Sequence, residues 1–185
     1  MHHVNKSGKL AKIAQEIEKC KVCKTGKNGK AVIGEGSPDA DIVFVGEAPG
    51  KKEAETGRPF VGRSGQLLRR LIREVGLKEG DVYITSPVKY LPEVGTPTVK
   101  DIEHGKIHLQ KQLDIIAPKI IVLLGRVASF AILGEFLAIN KMHGVIIDKN
   151  NQRYFVTFHP SAGLRFPPLK IKIIEDFQKL KKIIL

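Results

Sequence analysis

Short apolar runs alternate with amphipathic stretches along the chain, and this alternation constrains the fold more than any other feature. The runs at 41–45, 82–85 and 119–124 are rich in β-branched and aromatic residues, as expected of buried strands. Between the first two runs, apolar residues recur at helical spacing from Leu67 to Val75. Strands that alternate with helices predict an α/β fold, a three-layer α/β/α sandwich with a mainly parallel central sheet.

The same patterns predict the remaining elements. The stretch 46–63 is expected to be one long loop, and Ser64 is expected to cap a helix that ends at Gly76. Further helices are expected near 7–20, at 98–116 with Ile102, Ile107, Leu109, Leu113 and Ile116 as apolar positions, at 125–133 and at 168–182, with a hairpin over 145–158. The length predicts one domain over 1–185, with a helix and cysteine turn in 1–36 and the core in 37–185.

The charge of the chain favours a polyanionic partner. There are 31 Lys and Arg residues against 19 Asp and Glu, a formal net charge of +12. Lysines that merely solvate the helix faces of a thermophilic protein would give the same balance. No apolar run approaches the ~20 residues that span a bilayer, so no membrane association is expected. The N-terminal Met1–Lys6 stretch lacks the apolar core of a secretory signal, which predicts a cytoplasmic protein.

Polar Gly/Pro loops follow the predicted strands and carry the residues suited to chemistry. The loops are 46–50, 58–62 and 159–162, and they hold Glu47, Phe60 and His159. Ligands of open α/β sheets bind at the carboxyl ends of the strands. A glutamate, an aromatic ring and a histidine at that edge could hold and cleave something small and planar.

Cys20 and Cys23 are the only cysteines and form one C-x2-C pair. Such a pair rarely forms a structural disulfide in a reducing compartment. The residues alone leave three interpretations of this pair: half of a metal site, a redox pair, or the remnant of a lost site.

The motifs together resemble the uracil-DNA glycosylase superfamily, and most closely its type 4 branch. The matching stretches, in the order of the family, are GEAPG at 46–50, GRPFVGRSGQLL at 57–68, YITSPVKY at 83–90, PKIIVLLG at 118–125 and HPSAGLR at 159–165. The resemblance implies a DNA glycosylase that acts on a flipped-out nucleotide, because the glycosidic bond is out of reach inside the base stack.

The resemblance also implies roles for individual residues. Phe60 would stack on the base, unless it is simply a core residue, and His159 would stabilise negative charge on uracil O2 as the bond breaks. Glu47 and Glu53 would position the base, the sugar or the water, with helix capping as the alternative for Glu53. The other base-binding positions are Gly46, Ala48 and Ser86.

Two further groups of residues are expected to contact DNA. The turn with Gly62, Ser64 and Gly65 leads into a helix N-terminus, which can hold a phosphate. Ser161 lies in a second such turn, and Leu164 with Arg165 occupies the position of the wedge that fills the vacated stack. Ordinary packing is an equal alternative for Leu164.

The chain departs from the family pattern in its pocket. Another branch has a water-activating aspartate where this chain has Ala48, so catalysis is expected to depend on leaving-group stabilisation. The type 4 pattern has a uracil-reading asparagine where this chain has Ser86, and a hydroxyl offers less than an amide.

It departs again at the 4Fe-4S cluster that type 4 enzymes hold with four cysteines. Cys20 and Cys23 match two ligands, but Tyr90 and Gly105 replace the others, so no such cluster is expected. His104 and His108 lie one helical turn apart, which makes a substitute zinc site an alternative. The other alternative is that both histidines are solvated and the cysteines hold no metal.

These observations predict a monomeric, monofunctional glycosylase that removes uracil or a related deaminated base from DNA in base excision repair, with no cofactor required for catalysis. One alternative is a catalytically weak DNA-binding or damage-recognition module of the same fold. Another is a glycosylase for a different deaminated base such as hypoxanthine. A mere binding module would not need Glu47, Phe60 and His159 together.

Overall fold

A computed structural model describes residues 5–184. Met1–Val4, part of the stretch behind the cytoplasmic prediction, and Leu185 lie outside the described residues. The helices are α1 (Lys6–Lys19), α2 (Lys21–Lys24), α3 (Lys51–Thr56), α4 (Arg63–Glu74), α5 (Val99–Ile116), α6 (Arg126–Leu133), α7 (Ile139–Met142), α8 (Pro160–Arg165) and α9 (Pro167–Ile184). The strands are β1 (Lys27–Asn28), β2 (Glu35–Gly36), β3 (Ile42–Val45), β4 (Tyr83–Thr85), β5 (Leu91–Pro92), β6 (Ile120–Leu124), β7 (Ile146–Lys149) and β8 (Gln152–Thr157).

The central sheet has the strand order β2-β4-β3-β6-β8-β7. The four inner strands are parallel, while the edge strands β2 and β7 are antiparallel to their neighbours. In the register, Val45 pairs with both Thr85 and Leu123, so these inner strands end at the same edge. The predicted α/β fold with a mainly parallel sheet is confirmed.

Helices cover both faces of this sheet. On one face α4, α8 and α9 contact one another, and the ring of Phe177 in α9 stacks on Phe44 of β3 at a centroid distance of 6.0 Å. On the other, α1, α5 and α6 form a second layer. The inner strands β3 and β6 are buried along their whole length, because both of their faces are covered.

The stretch 46–63 is not one continuous loop, because it contains α3. Glu53 lies in the first turn of α3 and accepts the backbone N–H of Gly50 at 3.1 Å, which is the glutamate half of a capping box, since Gly50 has no side chain to supply the other half. The next helix, α4, is capped by Gly62 rather than by Ser64, which lies inside its first turn. The predicted helix exists, but its cap lies two residues earlier.

Two other expectations are corrected. The turn at 160–163 is helical, since Pro160 begins α8 and His159 caps it. Ile107, predicted as an apolar position of α5, is 54% exposed. It falls between Ile102 and Leu109, whose seven-residue spacing defines the buried face.

None of the helices formed by residues 5–184 combines the length and the apolar character that crossing a bilayer requires.

Candidate active site

A cavity of about 190 Å³ lies at the carboxyl ends of β3, β4 and β8. It brings together side chains that are far apart in the sequence, and its lining includes Glu47, Ala48, Glu53, Phe60, Ser64, Ser86, His159 and Ser161. A larger cavity, of about 1100 Å³, opens at the opposite edge of the sheet beside Asp41, Lys119 and Arg153. None of the predicted site residues lines that second cavity, so the smaller one is the candidate active site.

His159 is oriented by the start of α8. Its Nδ1 lies 3.2 Å from the backbone N of Ser161 and 2.8 Å from the Ser161 hydroxyl. A backbone N–H can only donate, so Nδ1 must accept, and the proton of the neutral ring is on Nε2. Nε2 faces Gly46, where an added Cβ would lie 3.8 Å away. His159 therefore presents an N–H donor to the cavity.

Burial keeps this imidazole neutral. Loss of solvation lowers the pKa of His159 from 6.5 to about 4, while the carboxylate of Glu53 opposes the shift. The ring is therefore uncharged at neutral pH. A neutral donor can stabilise an anion as it forms without first binding and immobilising one.

The ring of Phe60 lies beside His159 in the cavity. The two ring centroids are 5.7 Å apart with an interplanar angle of 35°. Phe60 has a φ of +51°, in the left-handed region that an aromatic residue rarely adopts. Gly46 lets the ring approach, because a Cβ there would lie 2.5 Å from Phe60 Cζ. A residue held at such a φ requires strong support from its neighbours.

Glu53 supplies part of the support that holds the loop around Phe60. Its Oε1 accepts the N–H groups of Val61 at 2.8 Å and Gly62 at 2.7 Å, and its Oε2 accepts that of Gly50. Both carboxylate oxygens are thus bonded to backbone, and the side chain is buried. These contacts favour a structural role for Glu53 in shaping the loop, close to the capping alternative considered from the sequence.

Arg69 completes the support of the loop, and the sequence alone does not point to it. Its guanidinium donates to the carbonyl oxygens of Phe60 at 2.9 Å and Pro59 at 2.8 Å. The same guanidinium forms ion pairs with Glu79 and Glu35. Nothing in the sequence distinguishes Arg69 from its neighbour Arg70, because the contact depends on how the loop folds over α4.

Glu47 differs from Glu53 in having a carboxylate available to a ligand. Among residues 5–184 its side chain accepts no hydrogen bond, and it lines the cavity half-buried. Burial raises the pKa of Glu47 above its usual 4.5, an effect that nearby Arg165 opposes. Of the two glutamates, Glu47 is the one suited to act on substrate or water.

Ser86 and Ala48 line the cavity but provide few hydrogen-bonding groups to a ligand. The Ser86 hydroxyl donates to the carbonyl oxygen of Val88 at 2.8 Å, so it has only its lone pairs left for a ligand. Ala48 is partly buried against the core. Neither residue can supply the paired donor and acceptor of an amide.

The predicted DNA contacts fall into three sets, at a groove, in the loop and at the cavity rim. Leu164 is 39% exposed at the end of α8, beside a groove whose lining includes Arg63, Arg70 and Lys170. Gly62 donates its N–H to Glu53, and a Cβ on Gly65 would overlap the backbone of Phe60, so both glycines shape the loop. Ser64 and Ser161 both line the cavity, but the Ser161 hydroxyl already donates to His159 Nδ1 and keeps only its lone pairs for a ligand.

A second group of chemically suited residues lies away from this cavity. Each member of the Cys/His cluster, defined as Cys20, Cys23, His104 and His108, offers one ligand atom, and all of these atoms lie within 4.8 Å of one another. None of the four residues lines the candidate active site. The cluster could hold a metal ion.

Comparison with known proteins agrees with the motifs. The profile of the uracil DNA glycosylase superfamily matches residues 33–180. The type-4 uracil-DNA glycosylase of Thermotoga maritima is 44% identical over 158 residues, which cover 83% of this chain and 82% of the relative. That of Sulfurisphaera tokodaii is 43% identical over 167 residues, covering 83% of this chain and 74% of the relative. A type-5 uracil-DNA glycosylase of Pyrobaculum aerophilum is 31% identical over 144 residues, covering 68% of this chain and 63% of the relative. The profile match spans most of the chain, and the chain belongs to the uracil-DNA glycosylase superfamily.

Proposed function

We propose that the protein is a monofunctional DNA glycosylase that hydrolyses the N-glycosidic bond of uracil in DNA and leaves an abasic site. The observation that carries the proposal is the Nε2–H donor of His159 beside the Phe60 ring, in a cavity sized for a single base. The names of the relatives support uracil as the base. Within residues 5–184 no lysine lines the cavity, which supports hydrolysis rather than a Schiff-base mechanism.

Binding begins with extrusion of the target nucleotide. Unstacking costs a few kcal/mol, which exposed Leu164 offsets by filling the vacated space. The base enters the cavity and stacks on Phe60, and each such stacking contact contributes about 1–3 kcal/mol. The strained loop holds the ring in place before the base arrives, so little ordering remains to be done on binding.

Bond cleavage then leaves negative charge on the base and positive charge on the sugar. The electron pair of the C1′–N1 bond stays with uracil and delocalises onto O2, where His159 donates its Nε2–H. One donor of this kind typically accelerates cleavage by about 10²–10³-fold. Because the pKa of His159 is about 4, the ring acts as a neutral donor at physiological pH.

Glu47 completes the reaction on the sugar side. Its carboxylate stabilises the oxocarbenium-like sugar electrostatically and orients the water that adds to C1′, and it accepts the proton that this water loses. Ala48 provides no second carboxylate. Water therefore adds to a sugar that has already lost the base, and leaving-group stabilisation carries most of the rate enhancement.

Glycosylase activity can be tested directly on defined duplexes. The protein is incubated with duplexes that contain a single uracil, hypoxanthine or xanthine, and abasic sites are then cleaved with alkali. Strand breaks at uracil are the expected result. Binding to duplex without breaks at any base would reject the enzyme in favour of a damage-recognition module.

Ser86 lines the cavity in place of the amide that would read uracil, so the same duplexes also test which base is preferred. Preferential cleavage at hypoxanthine would assign the enzyme to another deaminated base. Monomeric action, a cytoplasmic location and a single domain over 1–185 stay predictions, as does catalysis without a cofactor.

A further inference from the structure

The Cys/His cluster has the geometry of a site for one metal ion. Its four donor atoms lie within 4.8 Å of one another, and Cys20 Sγ is 3.1 Å from His104 Nε2. Donors placed tetrahedrally around zinc at about 2.0–2.3 Å lie about 3.3–3.8 Å apart, so small adjustments suffice. We propose that this cluster binds a single zinc ion through two thiolates and two imidazoles.

The imidazole of His108 gives independent support. This side chain is only 7% exposed, and its Nδ1 is the one buried side-chain nitrogen or oxygen in residues 5–184 that lacks a hydrogen-bond partner. Buried polar atoms are nearly always paired, so an unpaired one marks a missing partner. A metal ion bound between this ring and the two thiols would explain why a polar side chain is buried there.

The four-iron cluster of the type 4 branch does not fit these residues, in line with the sequence expectation that no such cluster forms. In such a cluster each ligand binds a different iron, so the four ligands surround a cube of metal and sulfide rather than one point. The position of the fourth cysteine is Gly105, where a Cβ would overlap the carbonyl oxygen of Pro87. The position of the third is Tyr90, whose ring packs in a small apolar cluster with Ile13 and Ile17.

Two other uses of the cysteines fit the geometry less well. A two-iron cluster with two cysteine and two histidine ligands would separate the sulfurs from the imidazoles across the two irons, whereas here Cys20 and His104 touch. A redox pair would account for the thiols alone and would not require both histidines. With two thiolates and two neutral imidazoles, by contrast, Zn²⁺ gives a site of zero net charge, suited to partial burial.

The local backbone also suits a metal ligand. The N–H of Cys23 donates to the Cys20 sulfur, 3.3 Å away, and so fixes the position of this ligand atom. The two cysteines lie at α2 and the two histidines on α5, so the ion joins the N-terminal helices to the core. Glu16 of α1 and Lys111 of α5 pair at 2.6 Å and make a second link of this kind. The zinc therefore has a structural role, separate from the glycosylase cavity.

Metal content tests the proposal without reference to activity. The full chain is produced in medium that contains both zinc and iron, purified without chelators, and analysed for both metals and for acid-labile sulfide. One zinc per chain without sulfide is expected. Cobalt added to the chelator-treated protein should give the intense visible absorption of a tetrahedral thiolate site. Stoichiometric iron with sulfide, or a protein that takes up neither zinc nor cobalt, would overturn the proposal.

Single-residue variants identify the ligands. Cys20→Ser removes the thiolate but keeps a good helix cap, and His104→Ala removes a partly exposed imidazole, so both variants are expected to fold. Each should weaken zinc binding by more than about 100-fold, since loss of outer-sphere partners alone costs about 10–100-fold. Lys106→Ala, an exposed change between the two histidines, should bind zinc like the parent. Equal zinc affinity in Cys20→Ser, His104→Ala and Lys106→Ala would show that the ion binds elsewhere.

Discussion

At the scale of single residues, the proposed mechanism depends on where His159 carries its proton. The Ser161 backbone N–H forces Nδ1 to accept, so Nε2–H is the group offered to the base. His159→Ala should lower the single-turnover rate by about 10²–10³-fold, as loss of one such donor does elsewhere. Loss of the α8 cap should lower the free energy of unfolding by only about 0.5–2 kcal/mol, so the variant is expected to fold and the rate loss reports catalysis.

His159→Gln provides the matched comparison, because its side-chain amide also carries a donor. This variant should recover part of the lost rate, whereas a ring that served only as packing would not be replaced by an amide. Equal rates for the parent and the alanine variant would remove His159 from the mechanism.

The pH dependence of cleavage separates the roles of His159 and Glu47. Burial lowers the pKa of His159 to about 4, so no inflection from this ring should occur near 6.5. Burial raises the pKa of Glu47, so its carboxylate is lost as the pH falls toward a value above 4.5, and the rate should fall with it. Single-turnover rates measured across the acid range give this decrease in rate with falling pH, the acid limb of the pH profile.

Glu47→Gln supplies the control for this assignment. The variant should be slower by about 10²-fold at neutral pH, the lower end of what a positioned acid or base contributes. Its remaining rate should be flat across the acid range, because the titrating group is gone. A limb that persists unchanged in Glu47→Gln would assign the titration to another residue.

The residues of the cavity differ in how well the sequence predicts them. Glu47 and His159 each follow a predicted strand, Phe60 lies in the same predicted loop as Glu47, and the motifs place all three at one edge of the sheet. Arg69 could not be found in this way, since its role comes from the carbonyl groups that the loop turns toward it. The strain at Phe60 is equally invisible, because a φ of +51° has no sequence signature in an aromatic residue.

At the scale of elements, the loop between β3 and α4 depends on the buried carboxylate of Glu53. Glutamine has a single oxygen acceptor, so in Glu53→Gln the amide NH₂ would face backbone N–H groups. The free energy of unfolding should fall by about 1.5–3 kcal/mol, the usual contribution of a hydrogen bond to a charged group. KM for uracil-containing DNA should rise more than the turnover rate falls, because the loop carries Phe60.

Glu55→Gln is the control, since Glu55 lies on the same short helix, is exposed and bonds only Lys52. It should change neither stability nor KM. If Glu53→Gln instead slowed turnover by about 10²-fold or more with unchanged stability, Glu53 would be a catalytic group, as the family resemblance implies.

The two misplaced helix boundaries between β3 and α4 share a physical reason. The Glu53 carboxylate accepts three backbone N–H groups and thereby fixes α3 and the start of α4. Apolar periodicity in the sequence does not reveal contacts of this kind. The longer helices and the inner strands, by contrast, are determined by apolar periodicity and packing. Their order and type were predictable, and their ends moved by a few residues.

At the scale of the whole molecule, the net charge of +12 favours DNA binding only where basic side chains are free of carboxylate partners. The groove beside Leu164 contains four basic residues, of which Arg70 and Arg73 pair with Glu74 and Glu79. Arg63 and Lys170 have no carboxylate within ion-pair distance among residues 5–184, so these two are available to phosphates.

Salt dependence of DNA binding tests this placement. Each phosphate neutralised contributes about 0.9 to the slope of log K against log salt concentration, through release of counterions. Arg63→Ala and Lys170→Ala should each weaken binding to an undamaged duplex and reduce the slope by about 0.9. Lys100→Ala, an exposed change on α5 at the other face of the sheet, should leave both quantities unchanged. Anisotropy titrations at several salt concentrations measure these slopes, and equal losses for all three variants would mean that DNA binds through diffuse charge instead of this groove.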